Sequence, residues 1–462
     1  MTALNSNIIY NNTDPSASDT QASGVGPSTA VSVMIQTSAG SKIATASPTT
    51  GFSVGDLMYI DDSSFTGRRF NTIAAITSGS ITFDENWDDS SMGSSAWVGG
   101  IRQGSDFATD PIRLDAPDNS VIEIQYTGTD YSLSTAWSPN CGSQTGGPVT
   151  WLGTGSEKPR IVGDAGNNSV ARILDGFYLF KDLKFVQNKQ SGSGVDCFVL
   201  FSNGVKFIAD NCHFLNEQGQ SGGRLFVDGR NSLHQGIFFN CTFDGNNLMT
   251  SGYLRSGGTG NWTCQALINC HFRNFTGAAI SIGDSRSIVV RSNVISNAVS
   301  GIVLDADTNH QNVIESNVLY NISGNGITFN NDDQFIASII ESNIFSVIGG
   351  DAFHAASDYT AIQKMSRMSH NAFHSVTGST HHNLTAGDQD ISLTGSPFEN
   401  PANGLFNVND TSGAGAELRS FNHSLNGSGT NVYPFRHLVS DSFGSGGGSS
   451  TSWTVHPLRG NR

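Results

Sequence analysis

The chain has 462 residues, 37% of them hydrophobic and 14% charged, and its 24 basic and 39 acidic residues leave a formal charge of −15. That balance argues against general nucleic-acid or anionic-membrane binding through a basic surface. No run of 18 apolar residues is present, so no membrane insertion is expected.

In chain order, residues 1–28 are rich in Asn, Thr, Ser, Asp and Gly and read as a polar arm. No charged start followed by an apolar run precedes Lys42, so a Sec signal peptide is not expected, and the protein is expected to be made and assembled inside a cell. Residues 29–103 hold short alternating segments, 31–35, 42–46, 54–60, 71–76, 80–83 and 96–101, with a hairpin turn at Thr77-Ser78-Gly79. They predict a small β-barrel or sandwich used for attachment. Residues 104–375 predict a solenoid, and residues 376–462 an irregular cap ending in a Gly/Ser-rich tail, FGSGGGSSTS at 443–452.

The solenoid rests on one repeated phrase: a polar residue, a Cys or Asn, any residue, then a large apolar one. It reads Asp182-Leu183-Lys184-Phe185, Asn211-Cys212-His213-Phe214, Asn240-Cys241-Thr242-Phe243, Asn269-Cys270-His271-Phe272, Ser292-Asn293-Val294-Ile295, Ser316-Asn317-Val318-Leu319, Ser342-Asn343-Ile344-Phe345 and, more weakly, His370-Asn371-Ala372-Phe373. The second positions are separated by 29, 29, 29, 23, 24, 26 and 28 residues, a solenoid period. Short Val/Ile/Phe runs broken by Gly, Asn and Ser exclude helical repeats, and the steady Asn/Cys position excludes leucine-rich ones. The fold class expected is all-β, a right-handed parallel β-helix between a small N-terminal β domain and an irregular C-terminal segment.

Alternation sends the second and fourth residues inward and the third outward. Cys212, Cys241 and Cys270 are then a buried thiol ladder rather than a zinc site, since no CxxC pair exists and ligands in register along one face do not converge. His213 and His271, two coils apart, read as solvent-facing and too distant to share a metal. The outward Val294, Val318 and Ile344 form an apolar stripe that needs covering, either by a second copy, which would make them an assembly face of a homotrimer, or by the chain's own residues 380–440.

After the turn in successive coils stand Ser285, Asp307, Asp332 and Asp358, with Asp305 and Asp333 beside them. Stacking would set Asp307 and Asp332 about 5 Å apart, as in a retaining glycosidase, and Asp307 and Asp358 about 10 Å apart. Asp307, Asp332 and Asp358 are therefore the candidate catalytic carboxylates, and Asp305, Asp307, Asp332 and Asp333 the candidate glycan or cation contacts. Turn formation alone also accounts for Asp at these places. No cofactor is expected; such a carboxylate row would either raise one carboxyl's pKa or recruit a cation such as Ca²⁺. Nucleophile-elbow, Walker and dinucleotide glycine patterns are not found in the required settings.

The coils resemble the parallel β-helix repeats shared by pectate-lyase-like enzymes and bacteriophage tailspikes. Gly51-Phe52-Ser53-Val54-Gly55-Asp56-Leu57 with Trp97-Val98-Gly99-Gly100-Ile101-Arg102, and Gly395-Ser396-Pro397-Phe398-Glu399-Asn400-Pro401 with Gly413-Ala414-Gly415-Ala416-Glu417-Leu418-Arg419, resemble β-helix proteins of phages and environmental bacteria. The resemblance implies a virion appendage of tail or capsid, joined to other virion proteins through the N-terminal domain and touching host-surface glycan. Two alternatives stay open: a polysaccharide lyase or hydrolase with a groove along the helix, and a non-enzymatic bacterial adhesin. The Arg or Lys base of the lyases is not matched in coils 280–360 beyond Arg286 and Arg291.

Overall fold

The computed structural model describes residues 8–18, 20–62, 64, 69–91, 93–103, 119–139, 148–163, 169–173, 176–188, 196–200, 205–217, 222–229, 235–256, 264–283, 287–305, 312–330, 338–357 and 366–420. A parallel β-helix forms the shaft. Its first face is an eleven-stranded parallel sheet running from Ile8–Tyr10 through Val121–Gln125 and Gln235–Phe239 to Arg367–Ser369. A second face carries the repeated phrase, from Arg160–Gly163 through His213–Asn216 and Thr242–Asp244 to Ala372–Val376. The third includes Arg224–Gly229, Ile327–Phe329 and Phe353–Ala355, and the long bent strands His271–Ile282 and Val294–Leu304 run from the second face onto it.

Each position of the phrase has its own physical task. The first residue takes the left-handed region in all eight copies, with φ between 54° and 59° from Asp182 to His370. Asn and Asp tolerate that region best among residues with a Cβ, and here the side chains also bond along the axis: Asn211 Nδ2 donates to Asp182 Oδ1 at 2.6 Å and Asn269 Nδ2 to Asn240 Oδ1 at 2.6 Å. This turn swings the chain from the first face into the second.

The second residue is buried in every copy, and from Cys241 to Asn371 it donates backward to a main-chain carbonyl of the preceding coil. Cys241 Sγ reaches Ala209 O at 3.5 Å and Cys270 Sγ reaches Phe238 O at 3.6 Å, while the amides of Asn293, Asn317 and Asn343 reach Leu267 O, Val290 O and Ile314 O at 2.8, 2.8 and 3.0 Å. Ala209, Phe238, Leu267, Val290 and Ile314 are one register position in successive coils. Thiol and amide thus fill one slot, which explains why the phrase accepts either. The amides add a second bond, each Nδ2 donating to the Oδ1 of the next Asn at 3.0–3.1 Å. The column ends at Asp390, whose Oδ1 accepts from Asn371 N and Nδ2 and whose Oδ2 accepts from Gly387 N and lies 2.9 Å from His381 Nε2.

The fourth residue points to the axis and stacks. Phe185, Phe214, Phe243 and Phe272 lie nearly parallel at centroid separations of 5.4, 4.9 and 4.4 Å. Phe180, Phe207 and Phe238 from the first face and Phe198, Phe226 and Tyr253 from the third complete the core. Each such pair contributes about 0.5–1.5 kcal/mol beyond burial, and Phe243→Ala, opening the stack on both sides, would cost about 3–5 kcal/mol.

The N-terminal strands Val31–Gln36, Ile43–Ser47, Leu57–Ile60, Phe70–Thr77, Ser80–Phe83 and Ser94–Val98 close into a barrel around Val33, Ile35, Met58, Phe83 and Trp87. It is not detached from the shaft. Leu57, Tyr59 and Phe70 belong to the shaft's core, and the buried Arg102 lies over the Tyr59 and Phe70 rings while its guanidinium donates to Ala22 O. Residues 8–10 also depart from the polar-arm reading: Ile8 and Tyr10 are buried and pair with Val121–Gln125 as the first rung. Three residues, Ile-Ile-Tyr, are too short for alternation to stand out among polar neighbours.

The C-terminal segment corrects the assembly-face expectation. Val294, Val318 and Ile344 are 0–1% exposed, packed with Ala372, Leu393, Phe398, Phe406 and Leu418. The cover is the antiparallel pair Phe398–Asn400 and Leu405–Val408, followed by the helix Gly415–Ser420. The stripe is satisfied within the chain and offers no seam for a second copy.

Candidate functional site

On the second face, outward rows run in register along the axis. One is Arg160, Lys184, His213, Thr242 and His271; beside it runs Leu215, Asp244, Arg273 and Ser296. Between Lys184 and Arg273 the rows line an open groove of about 290 Å³ with Glu217, Asn216 and Asn246 on its rim and floor. Past it, Phe406 of the C-terminal segment meets the edges of His271 and Tyr320 at 6.3 and 5.6 Å. The groove therefore ends where the cover begins.

Its carboxylates are each paired with an arginine. Arg160 grips Glu217 with two bonds of 2.6 and 2.7 Å and Asp130 with a third of 2.7 Å. Arg273 Nε donates to Asp244 Oδ2 at 2.8 Å, and the other oxygen, Oδ1, accepts from Asn274 Nδ2 and Asn246 N. The Arg160 fork holds the Glu217 carboxyl below its ordinary value despite partial burial, so Glu217 is an ionised acceptor and a poor proton donor.

His213 is partly buried, not solvent-facing. Lys158 Nζ stands 2.8 Å from its Nε2; an ammonium has only protons to give, so Nε2 accepts and the ring proton is on Nδ1. Burial first, then the cations Lys158, Lys184 and Arg273, push its pKa down to about 3. His271, with Nε2 3.3 Å from Ser296 Oγ, is pushed down to about 4 by burial and Arg273. Both rings are neutral near pH 7. Asn216 is 3% exposed and neither atom of its amide has a partner among the described residues. Such a group costs about 1–3 kcal/mol until something bonds it.

Of the residues singled out in the sequence, Asp305 stands at the end of Val294–Leu304 and accepts from Asn330 Nδ2 at 2.9 Å, one coil's turn tied to the next. Asp307, Asp332, Asp333 and Asp358 lie outside the described residues. Asp130, Glu217, Asp244 and Arg273 escaped the sequence reading. The signal was present, since extending the in-out alternation two residues past the outward third position reaches Leu215, Asp244 and Arg273.

No family model matches the sequence, and no curated protein is similar to it. Solved structures similar in fold include two catalytic units and a tailspike. One is the Agl-KA catalytic domain, 12% identical over 81% of this chain and 89% of that one, TM-score 0.25. Another is the tailspike protein gp49 from Pseudomonas phage LKA1, 12% identical over 80% and 65%, TM-score 0.19. The third is the catalytic unit of a GH87 α-1,3-glucanase from Streptomyces thermodiastaticus, 10% identical over 78% and 86%, TM-score 0.23. At these scores the likenesses carry no argument about residues or activity.

Proposed function

We propose that the chain is a virion surface spike whose β-helical shaft binds an extended polysaccharide in the groove between Lys184 and Arg273. The observation that carries this is the groove itself: hydrogen-bonding side chains repeated in register along the axis on one sheet face. Hydroxyls along a glycan meet donors from Lys184 and Arg273 and acceptors from Glu217 and Asp244. The pairing of Glu217 with Arg160 favours binding over hydrolysis, because a glycosidase acid needs a raised pKa.

The test is retention of the full chain on a panel of immobilised bacterial surface polysaccharides, with Thr242→Arg as the blocking variant. Thr242 faces outward mid-groove, so the substitution fills the space without touching the core. Binding of at least one polysaccharide, weakened tenfold or more by Thr242→Arg, supports the reading. Retention of none, or retention indifferent to Thr242→Arg, overturns it. Release of reducing ends or unsaturated uronates would replace it with a depolymerase. Immunogold labelling of purified particles tests the virion location.

A further inference from the structure

On the third face, at the last coils of the shaft, three potential metal ligands come together away from the groove. Strands Phe353–Ala355 and His381–His382 pair in parallel, which puts His354 directly beside His382. Their rings lie 4.7 Å apart and nearly parallel, and Asp351 sits at their edge: its Oδ2 is 2.8 Å from His354 Nδ1 and 3.7 Å from His382 Nδ1. One ligand atom from each residue lies within 4.8 Å of the others.

We propose that Asp351, His354 and His382 form a binding site for a divalent first-row transition ion, Zn²⁺ by ligand type, that clamps the final coil onto the shaft. Two imidazole nitrogens and one carboxylate oxygen suit such an ion, whereas Ca²⁺, raised from the sequence for the carboxylate row at 305–333, prefers oxygen alone. Bonds of about 2.0–2.1 Å in a tetrahedron separate ligand atoms by about 3.3 Å. The observed 2.8 and 3.7 Å fall on either side of that edge. A proton and the ion cannot share His354 Nδ1: as the ion binds, the proton leaves Nδ1 and Nε2 takes one up from solvent, so the ring stays a neutral ligand beside the Asp351 carboxylate.

The carboxylate is held in place for this task. Its Oδ1 accepts from Ser379 N at 2.6 Å, and Asp351 N donates to Asn325 Oδ1 at 2.9 Å, so Oδ2 stays turned toward the rings. Gly378 leaves room for it, since a Cβ there would come 2.5 Å from Oδ1. Parallel rings cannot both hold one ion in their planes, so one must turn. His382, 45% exposed and on the last strand of its face, is the ring with room to do so.

The experiment is calorimetric titration of the untagged full chain with ZnCl₂ after chelator treatment, alongside thermal midpoints with and without the ion. One Zn²⁺ per chain is expected, together with a raised midpoint. His382→Ala should weaken binding tenfold or more and abolish the rise. His374→Ala, on the second face against Ser346, should leave both unchanged. If His382→Ala does not fold, Co²⁺ added to the unaltered chain reads the same site, with the intense visible bands of a tetrahedral nitrogen-ligated ion expected. Failure to bind Zn²⁺, retention of binding in His382→Ala and His354→Gln, octahedral Co²⁺ bands, or preference for Ca²⁺ would each overturn the proposal.

Discussion

The backbone amide of Cys270 donates to Asn293 Oδ1 at 2.8 Å, and at that contact the buried thiol column becomes an amide column. Upstream, Cys212, Cys241 and Cys270 each make a weak sulfur bond to a carbonyl. Downstream, each Asn side chain gives two bonds; Asn293 receives one, from Cys270 N, and Asn317, Asn343 and Asn371 each receive two, which satisfies those side chains in a dry interior.

Asn317→Ala should therefore be severe. It strips the acceptor from Asn293 N and Nδ2 and the donor from Val290 O and Asn343 Oδ1. At about 1–3 kcal/mol for each buried group left unpaired, a loss of at least about 3 kcal/mol is expected. Asn317→Cys, restoring only the carbonyl bond as in the upstream coils, should lose less. Urea midpoints of the three proteins give the order.

The column's thiols should be inert. Burial pushes Cys212 up to about 12 and raises Cys197 and Cys241 strongly as well. A thiol that stays protonated in the folded chain while the unfolded chain ionises near 9 stabilises the fold below that pH and loses the contribution as pH climbs toward 12. Titration with an aromatic disulfide at pH 8 should leave Cys197, Cys212, Cys241 and Cys270 unreacted until denaturant is added. Rapid labelling of any of the four in the native protein would contradict this.

Acid should weaken the groove region. His213 and His271 have folded pKa values of about 3 and 4, below the ordinary 6.5, so between those limits the unfolded chain takes up protons that the folded chain refuses. Their contribution is complete above pH 6.5 and falls as pH drops. The thermal midpoint should decline from pH 6.5 to 4, and less steeply in His213→Gln.

Val347 interrupts a second row of left-handed residues. Asn274, Asn297 and Asn321 hold the equivalent place in earlier coils, with φ of 64°, 54° and 53°, and bond one another along the surface; Val347 has φ 61° and is 39% exposed. A β-branched residue is poorly suited to that conformation. Val347→Asn removes the strain and extends the ladder, and should stabilise by about 1 kcal/mol. An unchanged or lower thermal midpoint would count against it.

Removing the cover should expose the stripe. A chain ending at residue 393 loses Phe398, Phe406 and Leu418 from the apolar cluster over Val294, Val318 and Ile344. Increased binding of a hydrophobic dye and self-association by light scattering are expected, while the full chain shows neither through this face.

The period carried the fold. Second and fourth positions recur because the turn and the axis each accept few side chains, and such restriction leaves a mark in sequence. The cover over Val294, Val318 and Ile344 left a fainter one: the stripe announced that something must sit on it, but Phe398 and Phe406 follow no period that says to which face they return. The site was harder still. Asp351 meets His382 only because a coil of 28 residues closes to one sheet spacing, and Glu217 meets Arg160 across two coils. Such neighbours are set by stacking distance, and sequence separation conceals them.

The Asn column also has a direction. Every amide points its oxygen toward the preceding coil and its nitrogen toward the oxygen of the following one, and Asp390, with no amide hydrogen to offer, cannot pass the pattern on. An extra Asn-bearing coil inserted anywhere between residues 293 and 371 would find both its partners waiting, whereas one added beyond Asp390 would find none. Shaft length is thus open to change by internal duplication, and the terminus is a fixed stop that travels with it.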